Sequence, residues 1–190
     1  MARTADYPID PMFTERWSPR AMSGEPVSDA ELSKLFEAAR WAPSAGNTQP
    51  WRFIYAKRGT SLFPRFYDLL DADNRTWAGH SGALFVLVSK KTGNGRSLLN
   101  APFDTGAAWM SFALQASKLG LIAHAMGGFD RARAKEEVGA SDDFDVQCMI
   151  AVGHPGPSDH LLEKHKAIET PNTRKPITET VFEGKLPKEA

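Results

Sequence analysis

An unbroken apolar run, ALFVLVS from Ala83 to Ser89, constrains this chain more than any other segment. It has the length of a strand rather than a helix and is apolar on both faces, so it reads as a central strand that needs cover on both sides. A chain of 190 residues, 42% of them hydrophobic, is long enough to supply that cover as one domain without a metal or a disulfide. Around the run, helical and extended segments mix without regular strand-helix-strand alternation. That order favours an α+β fold over a doubly wound sheet.

The clearest helix begins at Ser28, with Glu31 placed to complete a capping box and Val27 and Leu32 at the positions of a hydrophobic staple. Leu32, Leu35, Phe36 and Ala39 then share one face, and Pro43 is expected to stop the helix. A long helix is expected from about Asp104 to Leu119, ended by Gly120 and apolar around much of its circumference, which suits a core or a subunit interface. Shorter helices are expected near 9–15, over 62–70, over 131–138 and over 159–169, and strands over 52–56 and 146–152. In the second of these strands Val146, Cys148, Ile150 and Val152 should face one way. The stretch from Arg174 to Ala190 has apolar residues without a helical period and should lie extended against another surface.

Composition removes several function classes. Basic and acidic residues balance at 23 each, so no net field draws the protein to nucleic acid or an anionic membrane. No run approaches membrane-spanning length, and the start MARTADYPIDPMF lacks the apolar stretch of a secretory signal. Cys148 is the single cysteine, which suits a reducing compartment; cytoplasm is the expected location. The glycine fingerprint of a dinucleotide fold, the phosphate loop of nucleotide triphosphatases, the serine hydrolase elbow and histidine metal spacings are all absent, so no metal is expected. If the chain is an enzyme, its reactive group is borrowed.

Two segments carry suitable chemistry. Arg16-Trp17-Ser18-Pro19-Arg20 sets two guanidinium forks and a hydroxyl in a proline-stiffened stretch, a donor set suited to phosphate. Ala42-Pro43-Ser44-Ala45-Gly46-Asn47-Thr48-Gln49-Pro50-Trp51 is a shaped polar loop directly after a helix, able to face a flat heteroaromatic. Taken alone, either could also be a solvated turn.

Together, in this order, they resemble the nitroreductase family, with its arginine-serine-x-arginine motif and its alanine-proline-serine, asparagine-x-glutamine-proline-tryptophan block. EAARWAPSAGNTQPW is a long match to that block, DTGAAWMSFALQASKLGL resembles the family's central dimer helix, and NTRKPI resembles its C-terminal phosphate-side stretch. The resemblance implies a dimeric, three-layer α+β fold with a central mixed, mainly antiparallel sheet flanked by helices. It implies one domain over 1–190, with 171–190 packed on the partner subunit.

It further implies FMN at a homodimer interface, with NADPH or NADH as electron donor and a small molecule such as a nitroaromatic or quinone as acceptor. Carried over, the site is Arg16, Trp17, Ser18, Arg20 and Arg174 on the phosphate, ribityl and pyrimidine side, with Pro43, Ser44 and Asn47 serving the flavin held mainly by the other subunit. Gln49 supports that loop. A backbone N–H of Gly127 or Gly128 would meet flavin N5, and no side chain is expected to be catalytic. Trp17 stands where the family often has a further arginine, so one cation is absent or comes from elsewhere; Arg75 is a possible stand-in at the flavin edge. The competing readings are the same fold acting on enals, flavins or halogenated rings, and a flavin-binding protein without NAD(P)H turnover.

Overall fold

The computed structural model describes residues 3–93 and 95–187. In chain order the elements are α1 (Met12–Glu15), α2 (Asp29–Arg40), β1 (Trp51–Lys57), α3 (Leu62–Tyr67), α4 (Ala72–Ala78), β2 (Ala83–Lys90), β3 (Thr92–Gly93), β4 (Arg96–Ser97), α5 (Ala101–Lys118), β5 (Ile122–Met126), α6 (Arg131–Glu137), β6 (Phe144–Gly153) and α7 (Glu163–Lys166). Short 3-10 turns lie at Ala45–Asn47 and Ile177–Glu179. Among the described residues no helix is long and apolar enough to cross a membrane.

The apolar run forms β2, buried along its length, in the middle of a sheet ordered β1-β2-β6-β5 whose three pairings all run antiparallel. Its side chains alternate between two cores. Leu84, Val86 and Val88 join Phe66, Leu69, Leu70 and Trp77 beneath α3, α4 and α6, while Ala83, Phe85 and Leu87 join Leu32, Leu35 and Phe112 beneath α2 and α5. The sheet is therefore the middle of three layers, and the chain has an α+β fold.

Local chemistry fixes the helix ends. The Ser28 Oγ accepts the Glu31 N–H at 3.2 Å, and the Glu31 carboxylate takes the Ser28 N–H at 2.8 Å, so both halves of the capping box are present. This helix stops at Arg40, ahead of Pro43, because Trp41 already leaves helical geometry. At the end of α5, Gly120 adopts φ +71°; Leu121 N–H reaches Ala116 O and Gly120 N–H reaches Ser117 O. Those two bonds make a Schellman motif, which only a residue at ease in left-handed geometry closes without strain.

Three expectations need correction. Val146 does not share a face with Cys148: the register against β2 shifts between Leu87 and Val88, a bulge that turns Val146 to the side of Met149. The helix expected over 159–169 is the single turn α7, because Glu169 leaves the helical path and its Oε1 accepts the backbone N–H groups of Arg20 and Ala21. The helix expected over 62–70 ends at Tyr67, and a separate one, α4, follows, capped by Asp71. Beyond Asn172 the described chain is exposed, so its apolar side chains find little cover on this subunit.

Candidate functional site

The segment from Arg16 to Arg20 runs between α1 and α2 without regular structure and is pinned from three sides. Glu169 Oε1 accepts Arg20 N–H at 2.6 Å and Ala21 N–H at 2.7 Å. The Pro19 carbonyl lies 2.9 Å from His124 Nδ1 on β5, and Gly156 N–H donates to Ala21 O at 2.9 Å. A stretch without secondary structure thus holds a defined shape at the end of β5 and β6.

It forms one wall of a cavity of about 430 Å³ that Arg3, Arg16, Arg20 and Arg174 all line, with Trp17, Ser18 and His124 between them. None of these four arginines is paired with a carboxylate among the described residues. Burial, followed by the nearby charges of Arg3 and Arg174, pulls the Arg16 guanidinium below its ordinary pKa; burial and Arg174 do the same to Arg3. Like charges have been gathered with no carboxylate within ion-pair range of their guanidinium groups among the described residues, an arrangement that favours a bound anion.

Arg20 crosses the face of Trp77 at 5.7 Å, and its Nε is buried with no hydrogen-bond partner among the described residues. Trp77 is fully buried and lies tilted against the His124 ring, with centroids 4.7 Å apart. Trp77 is therefore a core support under Arg20 rather than an open pocket wall. Burial lowers the His124 pKa, outweighing the Pro19 carbonyl that raises it.

Of the residues expected from sequence, Arg16, Trp17, Ser18, Arg20 and Arg174 come together in this cavity. Pro43, Ser44 and Asn47 do not line it; they sit in the loop after α2. That loop is internally braced. Gln49 N–H donates to Ser44 Oγ, Gln49 Nε2 to Asn47 O and Oδ1, and Ala45 N–H to the buried Asp104 at 3.1 Å. Asn47 and Gln49 both take positive φ, 53° and 47°, so the loop holds an unusual backbone shape.

The two glycines after β5 differ. A side chain on Gly128 would come within 2.0 Å of Asp71 Oδ2, whereas one on Gly127 would meet nothing within 4 Å. Gly128 O also accepts from Asp71 N–H and Asn74 Nδ2, so this residue ties β5 to α4 while Gly127 stays exposed. Arg75 is engaged elsewhere, over the Tyr67 ring and on Asp68 O. The cation missing at Trp17 has a spatial counterpart in Arg3, which sequence reading passed over because a lone arginine near an irregular start carries no motif. Glu169 carries no local signal either, since its contacts with residues 20 and 21 span more than a hundred positions.

A family model described as the nitroreductase family matches residues 13–104 and 74–154 of this chain. A Streptomyces coelicolor protein, provisionally named NADH dehydrogenase/NAD(P)H nitroreductase, is 30% identical over 169 residues, which cover 76% of this chain and 81% of that one. A solved structure described as an oxidoreductase containing FMN superposes with a TM-score of 0.94 at 38% identity, covering 98% of this chain and 97% of its own. A nitroreductase family protein from Clostridium difficile shares the fold at a TM-score of 0.70 and 21% identity, over 92% of this chain and 97% of its own. Fold and sequence similarity agree on one class, the three-layer nitroreductase-type fold. The chain belongs to the nitroreductase family.

Proposed function

We propose that this protein is an FMN-dependent oxidoreductase, working as a cytoplasmic homodimer, that carries electrons from NADPH or NADH to a small acceptor such as a nitroaromatic or a quinone. The observation that carries the reading is the cavity where Arg16, Arg20 and Arg174 converge beside Ser18 with no carboxylate paired to them among the described residues. The residues fit FMN: Arg20 Nε is a buried donor lacking a partner among the described residues, and the guanidinium forks match a phosphate bearing about two negative charges. The oxidoreductase containing FMN, similar over nearly the whole chain, supports the same cofactor.

On this reading Arg16, Arg20 and Arg174 hold the phosphate, Ser18 and the Trp17 backbone border the ribityl chain, and the exposed N–H of Gly127 takes the N5 edge. Gly128 is the poorer candidate because it packs closely against Asp71 and Asn74, whereas Gly127 is exposed. Bound there, FMN would supply the redox chemistry, taking hydride from the nicotinamide and passing electrons to the acceptor. The protein's part is to bind, orient and electrostatically balance an electron-rich ring. Residues 1–190 form one domain in this reading.

The dimer is supported by an apolar face that α5 leaves open. Phe103 is 81% exposed and Met110 39%, with Gly106 between them, and Trp41 is 73% exposed nearby in sequence to the braced loop. A second copy on that face would bring its Pro43, Ser44 and Asn47 toward the flavin, and residues 171–190 would pack on it. The protein should purify yellow and be bleached anaerobically by NADPH or NADH, and an acceptor screen on the bleached protein would rank substrates. FMN held without bleaching would leave a flavin-binding protein; colourless protein that ignores added FMN would overturn both.

A further inference from the structure

Arg3 reaches the cavity from the start of the chain and holds two distant segments at once. Its Nε donates to Asn172 O at 2.8 Å and its Nη2 to Asn172 Oδ1 at 2.7 Å. Its Nη1 donates to Arg16 O at 2.6 Å and, more weakly, to Thr14 O at 3.3 Å. Arg174 Nη1 reaches the same Asn172 Oδ1 at 2.9 Å. One amide oxygen is thus shared by two guanidinium groups, and Arg3 spends its donors on neutral oxygens while its charge stays unpaired with any carboxylate among the described residues.

Arg16 differs: among the described residues its side chain makes two hydrogen bonds, both at 3.3 Å, to Trp17 O and Ser18 Oγ. Its fork is largely free to bind. Arg3 therefore fixes where Arg16 and Arg174 stand, and adds a positive potential that neither can cancel.

We propose that Arg3 is a positioning residue for a phosphate monoester in this cavity, and that by joining the Arg16 backbone to the Asn172–Arg174 stretch it makes both ends of the chain close together on the bound anion. Without an anion, three neighbouring cations repel across the joint; a dianion removes that repulsion and stabilises the closed arrangement. The inference rests on the proposed cofactor site for the identity of the ester, but its electrostatics require only an anion.

The test uses full-length protein freed of flavin, titrated with FMN and with riboflavin, which lacks the phosphate, by quenching of flavin fluorescence. Arg3→Ala should weaken FMN on the order of tenfold and leave riboflavin unchanged, and Arg3→Lys, which keeps the charge but not the fork, should fall between. The FMN affinity of Arg3→Ala should also depend less on salt than that of the wild type. Hydrogen exchange at residues 3–16 and 170–175 should slow with FMN and not with riboflavin. An Arg3→Ala protein that binds FMN like the wild type, or that loses FMN and riboflavin equally, would overturn the inference and leave the FMN site standing. Inorganic phosphate separates the opposite failure: wild-type protein that ignores FMN but gains thermal stability with phosphate, in an Arg3-dependent way, would retain the anion joint and sink the FMN reading.

Discussion

Arg16 shows how a residue can be placed at a cost to its own ionisation. Burial and two neighbouring guanidinium groups depress its pKa, so removing it relieves repulsion in flavin-free protein while removing a phosphate donor. Arg16→Gln should therefore melt no lower than wild type without flavin, yet bind FMN more weakly by about 1.5–3 kcal/mol, checked by paired melts and titrations. His124 sets a pH dependence of known sign. Its folded pKa lies below the ordinary 6.5, so the unfolded chain takes the proton first and stability falls as pH drops through 6.5 toward the folded value. Arg20 and Arg16 oppose its protonation and Glu169 favours it, so burial governs the sign. Melting temperatures from neutral pH to about pH 5.5 should fall less steeply in His124→Asn than in wild type. The Cys148 thiol is pushed by burial up to about 11, so alkylation at neutral pH should be slow in the native state and rise on unfolding.

Elements whose signals are local were legible in the sequence. The Ser28 capping box, the β2 run and the Gly120 stop all depend on residues within a few positions of one another, and each stands where those residues put it. Ser28→Ala should lower stability by about 0.5–2 kcal/mol, read from denaturant midpoints. Elements that depend on distant partners were not legible. Helix α4 is short and is held by fully buried Trp77 and by the Asp71–Gly128 tie; β5 becomes a strand through pairing with β6. The bulge that turns Val146 is set by the β2 register and leaves no mark in the β6 sequence. The glycine pair makes a sharp contrast. Gly128→Ala should destabilise the fold by about 1–3 kcal/mol through the Asp71 clash, whereas Gly127→Ala should be mild and report on flavin binding instead, by melts and titration together.

At the scale of the molecule, the motif arginines were visible one by one, but their convergence belongs to the fold. Residues 16, 20 and 174 meet only because β5, β6 and Glu169 bring the two regions side by side, and Arg3 had no signal at all. In the proposed dimer, the open face of α5 would carry the assembly. Gly106→Trp places a bulky group where a side chain now meets nothing, so sedimentation should show a monomer, and FMN affinity should drop with it if the cofactor site is shared. The Arg3–Asn172 tie also has a mechanical meaning. A chain pulled from its two ends would straighten the exposed residues beyond Asn172 and then load these hydrogen bonds, before tension reached the antiparallel sheet. Under an optical trap the first event should be a low-force release at this joint, followed by a separate and higher rupture of the body, and a bound anion should raise the force of the first event alone.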